Sequence, residues 1–502
     1  MTGIVARQVA IEARTPLQYG FLPRSLLPMT HASHPILDDL ISTLGTAYVL
    51  IGPDAEPFTR DWTGKIVTNP LAVLRPGETL EVSQIMKLAS AHSVPVVPVS
   101  GNTGLTKGTQ ADGVLMVSLD RLANIREIRP KARVAIVEAG VVLSRLHDAA
   151  EQHDLIFPLT FGARGSAMIG GALSTNAGGS NVLRYGSTRG LCLGLEVVLA
   201  DGRILNLMSA VHKDNSGYDL RDLMIGAEGT LGIITAAVVK LVPRPKAYAA
   251  AMIACPSVSD AVGLLNTLQR ETGGAVEAFE LMPGTYIDAY LQRFPEARAP
   301  FENRYDTNIF VELGALSNRD AAPNDDGRVP AVAHLESILE QMFGRGIVLD
   351  AVVAQNDAQR AEMWTRREAA AEISRLHEPL VDNDIAVPVD RMQDLIERIT
   401  ARTRALDPDI RFVNVAHLGD GNLHFTAWPG THDTNVHAAI NRAAEEEAIA
   451  LGGSFSAEHG VGLSKRPAMA LHKDPVALDV MRAVKRALDP QNILNPGKVI
   501  PD

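Results

Sequence analysis

Three glycine-rich segments between residues 100 and 235 constrain the fold of this chain more than any other feature. They are "SGNTGLTKGT" at 100–109, "FGARGSAMIGGALSTNAGGSN" at 161–181 and "IGAEGTLGIIT" at 225–235. Glycine permits positive φ and lets backbone N–H groups approach a ligand closely, so such loops often bind anions. Each segment adjoins an apolar strand pattern. One such loop is more often a turn, but three in one region indicate a site for a large, phosphate-bearing cofactor.

The glycine spacing does not match the two standard nucleotide motifs. Gly101, Gly104 and Gly108 do not form the G-x-G-x-x-G pattern of a dinucleotide fold, and Lys107 is not preceded by the glycine of a P-loop. The cofactor fold is therefore of another kind.

Strand patterns alternate with helix patterns around the first glycine segment. The stretches "LAVLRP", "TLEVSQIMKLASAHS" and "VPVVPVS" predict a strand, a helix and a strand, which is typical of α/β architecture. An earlier helix is predicted at "HPILDDLISTLG". The Pro-rich "LVPRPK" at 241–246 predicts a domain boundary. Beyond it we expect longer helices, strands such as "TNIFVELGA", and a final helix ending in "LDPQNILNPGK".

Length and charge narrow the class of protein. A chain of 502 residues should divide into two or three domains. It has 47 basic and 58 acidic residues and a net charge of −11. This charge disfavours binding to nucleic acid and to anionic membranes, so we expect a small-molecule partner.

Cys192 and Cys255 are the only cysteines, which excludes a disulfide framework and favours a reducing compartment such as the cytoplasm. No apolar run approaches the roughly 20 residues that span a bilayer, so we expect a soluble protein.

The first 28 residues differ in charge from the rest of the chain. They contain Arg7, Arg14 and Arg24 but only one acid, Glu12, and they lack the apolar core of a secretory signal. A loosely held extension is the favoured interpretation, and a transit peptide to the mitochondrial matrix is the alternative.

The stretch "HLGDGNLH" at 417–424 has a histidine at each end of a sharp Gly-Asp-Gly turn. These turn residues would break a helix and let a β-hairpin reverse. We therefore expect His417 and His424 to be a directly opposed cross-strand pair, with Cβ atoms roughly 4.5–5.5 Å apart. At that separation both imidazoles could bind one metal ion.

Glu458, in the later motif "SAEHGVG", could supply a third ligand. Two imidazoles and one carboxylate leave an open coordination position, which is the pattern of a catalytic zinc site. The alternative is a polar hairpin in which one histidine bonds to backbone, and the short motif alone does not decide between them.

Several long motifs, in a constant order, resemble a flavoprotein superfamily. The segments "VPVVPVSGNTGLTKGT", "FGARGSAMIGGALSTNAGGSNVLRYGSTRGLCLGLEVVLADG" and "DLRDLMIGAEGTLGIIT" are similar to the FAD-binding domain of the vanillyl-alcohol oxidase superfamily. The segments "AHLGDGNLHF", "SAEHGVGLSKR" and "LDPQNILNPGKV" resemble its D-2-hydroxyacid dehydrogenase branch, which includes D-lactate and D-2-hydroxyglutarate dehydrogenases. The resemblance extends from about residue 35 to the end of the sequence.

This resemblance implies an α+β fold with a defined division of the chain. An FAD-binding domain of two α/β subdomains would occupy residues 35–245. A C-terminal substrate (cap) domain, built on an antiparallel sheet with helices, would occupy residues 246–484 and contain the metal site. Residues 485–502 would return to the FAD domain, and residues 1–34 would form an N-terminal extension.

The resemblance also implies which residues bind FAD. The first loop, with Gly101, Asn102, Thr103 and Gly104, would bind the pyrophosphate through backbone N–H groups, and Thr109 would lie close by. The rest of the cofactor would be lined by Pro158, Gly162, Ser166, Gly170, Gly171, Asn176, Gly178 and Gly179, with Ile233 on the adenine side. Some relatives attach flavin covalently to a histidine of the first loop, where this chain has Asn102, so we expect non-covalent FAD.

With FAD in place, the histidine hairpin would serve oxidation of an alcohol. A divalent cation, zinc or manganese, lowers the pKa of a coordinated hydroxyl, and hydride can then pass from C2 of the hydroxyacid to flavin. His459, next to Glu458, is the candidate base, and a structural histidine is the alternative. Arg367 in "WTRREAAAE" would bind the substrate carboxylate bidentately. The family pattern selects Arg367 over Arg366, although either could be a solvated helix charge.

Three positions depart from the 2-hydroxyglutarate type and bear on substrate choice. Where that type has a lysine that neutralises the second carboxylate, this chain has Asp382, within "DNDIAVPVD". Ala371 and Thr426 replace a threonine and an asparagine. If Asp382 faces the pocket, a D-2-hydroxy monocarboxylate such as D-lactate is expected in preference to D-2-hydroxyglutarate; the alternative is that Asp382 faces solvent.

Other classes of protein remain open at this point. A metal-dependent hydrolase would use the same two histidines and one glutamate but would not need the three glycine segments. A non-catalytic flavin-binding protein would need the glycine segments but not the metal ligands. The electron acceptor, whether electron-transfer flavoprotein, quinone or cytochrome, cannot be read from the sequence. The relatives imply a homodimer.

Overall fold

The computed structural model describes residues 34–61, 64 and 67–502. The predicted N-terminal extension therefore lies outside the described residues, apart from residue 34. Residues 36–502 form one compact unit that contains all the elements given below.

The first sheet lies in the N-terminal third and has the strand order β1-β2-β4-β3. Its strands are β1 (Val49–Leu50), β2 (Ala72–Leu74), β3 (Val96–Val99) and β4 (Leu115–Ser118). Strands β2, β4 and β3 are parallel, and α2 connects β2 to β3. Helices α1 (Ile36–Leu44) and α2 (Thr79–His92) bury their apolar faces beside this sheet, as the sequence predicts. The first glycine segment follows β3 directly.

The second sheet is antiparallel, with the order β5-β6-β10-β8-β9. Its strands are β5 (Ile125–Arg129), β6 (Val134–Glu138), β8 (Cys192–Val198), β9 (Ile204–Leu207) and β10 (Ile233–Lys240). A separate pair joins β7 (Leu155–Ile156) to β11 (Val242–Pro243). The helices of this part are α3 (Leu143–Glu151), α4 (Ile169–Thr175), α5 (Val182–Tyr185), α6 (Thr188–Leu191) and α7 (Leu220–Met224).

The third sheet is also antiparallel and belongs to the C-terminal half, in the order β15-β12-β14-β13-β18-β19-β16 with β17 beside β19. Its strands are β12 (Ala247–Cys255), β13 (Val276–Pro283), β14 (Thr307–Ala315), β15 (Asp350–Val353), β16 (Val381–Ala386), β17 (Arg411–Phe412), β18 (Val415–His417) and β19 (Asn422–Trp428). Its helices are α8 (Val258–Glu271), α9 (Gly284–Arg293), α10 (Asn318–Ala321), α11 (Pro330–Gly344), α12 (Asp357–Glu368), α13 (Ala370–Ile373), α14 (Met392–Leu406), α15 (Thr434–Ala450), α16 (Arg466–His472) and α17 (Pro475–Leu488).

Strand β12, "AYAAAMIAC", shows why this sheet is covered on both faces. Its alternate residues Ala251 and Ile253 belong to a core cluster with α8 and α11, whereas Ala250 and Met252 belong to a cluster with α9 and α12. A strand buried on both faces has a nearly continuous apolar sequence. The predicted antiparallel sheet with helices is thus confirmed.

The C-terminal segment after α17 pairs with the edge of the first sheet. The N–H of Val96 donates to the carbonyl of Ile493 at 2.7 Å, and the N–H of Asn495 donates to the carbonyl of Val96 at 2.8 Å. This pairing covers the open edge of β3, which would otherwise expose unpaired backbone groups.

Two bulk features bear on the environment of the protein. Cys192 and Cys255 are both buried with free thiols. In the part of the chain that the structure describes, no helix has the length and apolarity needed to cross a membrane.

Candidate active site

The histidine hairpin forms, but its register differs from the prediction. Strands β18 and β19 pair through a turn at 418–421, where Gly421 has φ +82. His417 is opposite Asn422, and His424 is opposite Val415, so the two histidines are diagonal neighbours and the predicted directly opposed pair is wrong. The turn contains four residues, whereas the commonest hairpin turns contain two. The imidazole rings still meet, with centroids 5.1 Å apart, because diagonal neighbours on a twisted ladder remain within side-chain reach.

Three imidazoles converge on one carboxylate oxygen. Oε1 of Glu458 lies 3.6 Å from Nε2 of His424 and 3.9 Å from Nε2 of both His417 and His459. These distances are too long for hydrogen bonds. Ligands about 2.1 Å from one zinc ion in tetrahedral geometry lie about 3.4 Å from one another. The side chains of Glu458 and the histidines therefore surround a space that fits a divalent cation.

Among the described residues, a group of possible metal ligands contains His424, Glu458 and His459 but not the predicted ligand His417, and it includes an aspartate that the sequence did not single out. Ligand atoms of Asp384, His424, Glu458 and His459 all lie within 4.8 Å of one another. Oδ2 of Asp384 already accepts hydrogen bonds from the backbone N–H groups of Glu458 at 2.8 Å and His459 at 2.9 Å. Its Oδ1 accepts from Nδ2 of Asn422 at 2.8 Å. Asp384 therefore holds the backbone that carries Glu458 and His459.

Glu280 is a second functional residue that the sequence did not reveal. It lies on β13 within "AFELMP" and is fully buried. Its carboxylate accepts from Nδ1 of His417 at 2.9 Å and from Nε of Arg367 at 2.7 Å. Burial opposes ionisation, but His417 and Arg367 outweigh it and lower the pKa of Glu280 to about 2. The signal available in the sequence was a lone acid inside an apolar strand.

The electrostatics differ between the two hairpin histidines. Burial lowers the pKa of His417, but Glu280 outweighs it and raises this pKa to about 9. Burial and the charge of His417 hold the pKa of His424 well below its usual value. His424 is therefore neutral, which is the form that coordinates a metal, and a cation bound at Nε2 of His417 would displace its proton.

The structure distinguishes the two adjacent arginines of α12. Arg367 points to Glu280, and its Nη2 is buried without a hydrogen-bond partner among the described residues. Arg366 points elsewhere, donating to the carbonyl of Arg298 at 3.0 Å and lying over the ring of Tyr290. Each arginine has one buried donor without a partner among the described residues, Nε of Arg366 and Nη2 of Arg367. Arg367 is the better candidate for binding a carboxylate because it bonds to Glu280, which also bonds to His417.

The first glycine loop contains features that fit a bound cofactor. The Oγ of Ser100 is buried and has no hydrogen-bond partner within the described ranges. A Cβ on Gly101 would lie 2.2 Å from the carbonyl oxygen of Ser166, so no larger residue fits there. Asn102 has φ 51 and accepts from Oγ1 of Thr109 at 2.8 Å. A small pocket lined by Asn102, Gly104, Thr109 and neighbouring residues adjoins this loop and has room for about one water molecule.

The second glycine segment differs from a simple loop after a strand. Gly170 and Gly171 lie in helix α4, where a Cβ on Gly170 would come 2.6 Å from Cβ of Ala139. Gly170 is needed because this helix packs against the end of β6, whereas a Cβ on Gly171 would lie 3.3 Å from Cβ of Ser100 in the first glycine segment. Asn176 ends α4 with φ 51, and its Oδ1 accepts from the N–H of Arg189 at 2.9 Å.

Of the remaining residues predicted to bind the cofactor, some are accessible and others are buried. Gly104 and Gly162 border open space, Thr103 is partly exposed and Ser166 is exposed. Pro158 and Ile233 are buried, and the side chain of Ile233 packs in the core of the first sheet.

Gly178, followed by Gly179 in the second glycine segment, lies beside Glu458 of the histidine cluster, which consists of His417, His424, His459 and Glu458. A Cβ on Gly178 would lie 3.0 Å from Oε2 of Glu458. Gly179 has φ +148 and approaches the carbonyl oxygen of Thr160, where a Cβ would lie 2.1 Å away. The predicted cofactor and metal residues therefore meet at Gly178 and Glu458.

The three predicted specificity positions lie at different depths. Asp382 is exposed on β16 and is opposite Thr426, which is buried on β19. Alternation along the strands puts Asp382 on the same face as Asp384 and His424. Ala371 is exposed on α13.

Comparison with known proteins agrees with the fold. Residues 70–208 match the family described as FAD binding domain, and residues 244–499 match the family described as FAD linked oxidases, C-terminal domain. The chain belongs to the FAD-linked oxidase family.

Curated relatives match over most of their length. The chain is 36% identical to D-2-hydroxyglutarate dehydrogenase of Xanthomonas citri pv. viticola, over 89% of this chain and 92% of the relative. It is 34% identical to the mitochondrial D-2-hydroxyglutarate dehydrogenase of Bos taurus, over 97% of this chain and 87% of the relative.

Solved structures share the fold at low identity. An alkyldihydroxyacetonephosphate synthase matches with a TM-score of 0.68 at 14% identity, covering 92% of this chain and 84% of that one. A p-cresol methylhydroxylase matches with a TM-score of 0.68 at 17% identity, covering 92% of this chain and 96% of that one. These matches show a shared fold, and the predicted fold class is confirmed.

Proposed function

We propose that this chain is an FAD- and divalent-metal-dependent dehydrogenase that oxidises a D-2-hydroxyacid to the 2-oxoacid. The observation that carries the proposal is the contact between Gly178 of the cofactor segment and Glu458 of the histidine cluster. A redox cofactor and a cation that activates a hydroxyl must lie together for this reaction. The names of the relatives support the same substrate class.

The bound groups and the side chains have separate roles in this proposal. FAD, bound non-covalently, would supply the acceptor for the C2 hydrogen, and zinc or manganese at His417, His424 and Glu458 would polarise the hydroxyl oxygen. Arg367 holds the substrate carboxylate through its unused Nη2 donor. His459 accepts the hydroxyl proton, since its ring borders Glu458 and its backbone is held by Asp384.

The substrate we favour is a D-2-hydroxy monocarboxylate with a neutral or cationic tail. Asp382 is exposed on the strand face that carries Asp384 and His424. A second substrate carboxylate near Asp382 would meet a like charge, and such a juxtaposition can cost several kcal/mol.

D-2-hydroxyglutarate is the alternative substrate, and the names of the relatives favour it. Measuring kcat/KM for D-lactate, longer D-2-hydroxyacids and D-2-hydroxyglutarate with an artificial dye as acceptor separates the two. We expect the monocarboxylates to be preferred. A clear preference for the dicarboxylate would overturn the substrate assignment, and no turnover with any D-2-hydroxyacid would overturn the proposed function in favour of a non-catalytic flavin protein.

We also propose a cellular compartment, an electron acceptor and an oligomeric state. The two buried free thiols support a reducing compartment such as the cytoplasm. An electron-transfer flavoprotein, a quinone or a cytochrome would reoxidise the flavin, and a homodimer is the proposed assembly.

A further inference from the structure

The loop Ala457–Gly462, which carries Glu458 and His459, is held by carboxylates on two sides. From the third sheet, Oδ2 of Asp384 accepts the N–H groups of residues 457–459. From the third glycine segment, Glu228 accepts the next pair of amides. Its Oε1 lies 2.7 Å from the N of Val461, and its Oε2 lies 2.8 Å from the N of Gly462.

Glu228 is itself fixed within the cofactor-binding part of the molecule. Its N–H donates to the carbonyl of Ser174 in α4 at 2.8 Å, and its carbonyl accepts from Nδ2 of Asn495 at 2.7 Å. Its φ of 51 is uncommon for a residue with a side chain, so surrounding contacts must maintain it. The backbone of Glu228 is therefore fixed in the cofactor-binding part by these contacts.

The loop backbone also approaches the cofactor-binding part too closely for larger residues. A Cβ on Gly460 would lie 2.8 Å from Oε1 of Glu228, and one on Gly462 would lie 2.1 Å from the carbonyl oxygen of Thr106. Thr106 belongs to the first glycine loop and accepts the N–H of Leu463 at 2.9 Å. Two of the three glycine segments thus contact the chain just after His459.

We propose that Glu228 is a positioning residue that sets the distance and orientation of the Glu458–His459 loop relative to the flavin. It does not reach the reacting atoms and acts through the backbone of Val461 and Gly462. This inference rests on the proposed function, because it concerns the geometry of hydrogen transfer from a substrate at that loop. Hydrogen bonds from backbone N–H to a carboxylate are stronger than those to a neutral acceptor, so the charge of Glu228 contributes as well as its shape.

The test compares Glu228→Gln with the matched control Glu138→Gln in the FAD-loaded holoenzyme. Glu138 is a buried carboxylate of the same part of the molecule that accepts the N–H of Asn124 at 2.9 Å and does not contact the loop. Hydrogen exchange, followed by mass spectrometry, should accelerate at residues 461–464 in Glu228→Gln and leave residues 457–459 protected. Glu138→Gln should leave both stretches unchanged.

The kinetic measurement uses the preferred D-2-hydroxyacid and its C2-deuterated form. We expect Glu228→Gln to lower kcat roughly tenfold or more, with an increased deuterium isotope effect, a KM within twofold, and unchanged FAD and metal content. Glu228→Asp, which keeps the charge but reaches only one amide, should be intermediate, and it remains informative if the glutamine variant does not fold. Hydrogen exchange at residues 461–464 that is unchanged in Glu228→Gln would overturn the assignment. Loss of FAD from both Glu228→Gln and Glu228→Asp would also overturn it. The exchange measurement needs no substrate, so it stands even if the proposed reaction fails.

Discussion

Nε of Arg367 lies 2.7 Å from Oε2 of Glu280, in a carboxylate that is fully buried. The other oxygen of the same carboxylate accepts from Nδ1 of His417. The group proposed to hold the substrate carboxylate and a group proposed to hold the metal are therefore fixed by one side chain. Their separation cannot change unless Glu280 moves.

Removing the charge of Glu280 should destabilise the protein. Glu280→Gln leaves Arg367 and His417 buried without their counter-charge, and breaking a buried pair in this way costs about 3–5 kcal/mol. Chemical denaturation should show this loss in the free energy of unfolding. Glu362→Gln is the matched control, since Glu362 pairs with Arg366 but is 52% exposed, and its effect should be within about 1 kcal/mol.

Removing the metal should abolish oxidation and leave the flavin bound. Chelation and His424→Ala should both do so, because His417 and His424 lie on the third sheet and Glu458 on the loop 457–462, outside the three glycine segments. Metal analysis and the flavin spectrum of the same sample check this. His153→Ala, at an exposed histidine of the cofactor-binding part, should change neither. Wild-type turnover in a metal-free preparation would contradict the metal assignment.

His459→Asn should lower kcat by roughly a hundredfold or more, in line with loss of a positioned base. Metal content should stay at the wild-type level, because the proposed ligands are His417, His424 and Glu458. Steady-state kinetics with metal analysis measure both quantities. A variant that loses the metal would make His459 a ligand, and an unchanged kcat would reassign the base.

Acid precipitation should release intact FAD into the supernatant. The first glycine loop has Asn102 at the position where some relatives carry a flavin-linked histidine, and its side chain bonds to Thr109. Chromatography of the supernatant and absorbance of the washed pellet are the measurements. Flavin that remains with the denatured chain would contradict non-covalent binding.

Asp382→Lys should raise kcat/KM for D-2-hydroxyglutarate by about tenfold or more, because a cation would replace a like charge. Asp390→Lys makes the same charge change at an exposed position, 73% exposed, eight residues away. It should leave the dicarboxylate kinetics unchanged. Equal effects of the two substitutions would show that net charge, and not the pocket, is responsible.

The sequence predicts those parts of the site that local motifs define. The hairpin histidines, Glu458 and the glycine loops lie in short segments with clear turn residues, and the structure brings them together. Glu280 and Asp384 act on residues far away in sequence, so their roles depend on the order of strands in the third sheet. The predicted opposition of His417 and His424 requires a turn centred between Asp420 and Gly421. The observed pairing of His417 with Asn422 centres the turn one residue earlier, and the sequence of the turn alone does not distinguish these two positions.

The pairing of Val96 with residues 493–495 has a consequence for biosynthesis. The edge strand that precedes the first glycine loop obtains its last backbone partner from a segment about four hundred residues later. Asn495 also donates to the carbonyl of Gly108, and Lys498 to that of Gln110, within and just after that loop. A ribosome must therefore translate residues 493–498 before the backbone of this strand and loop has all of these hydrogen-bond partners.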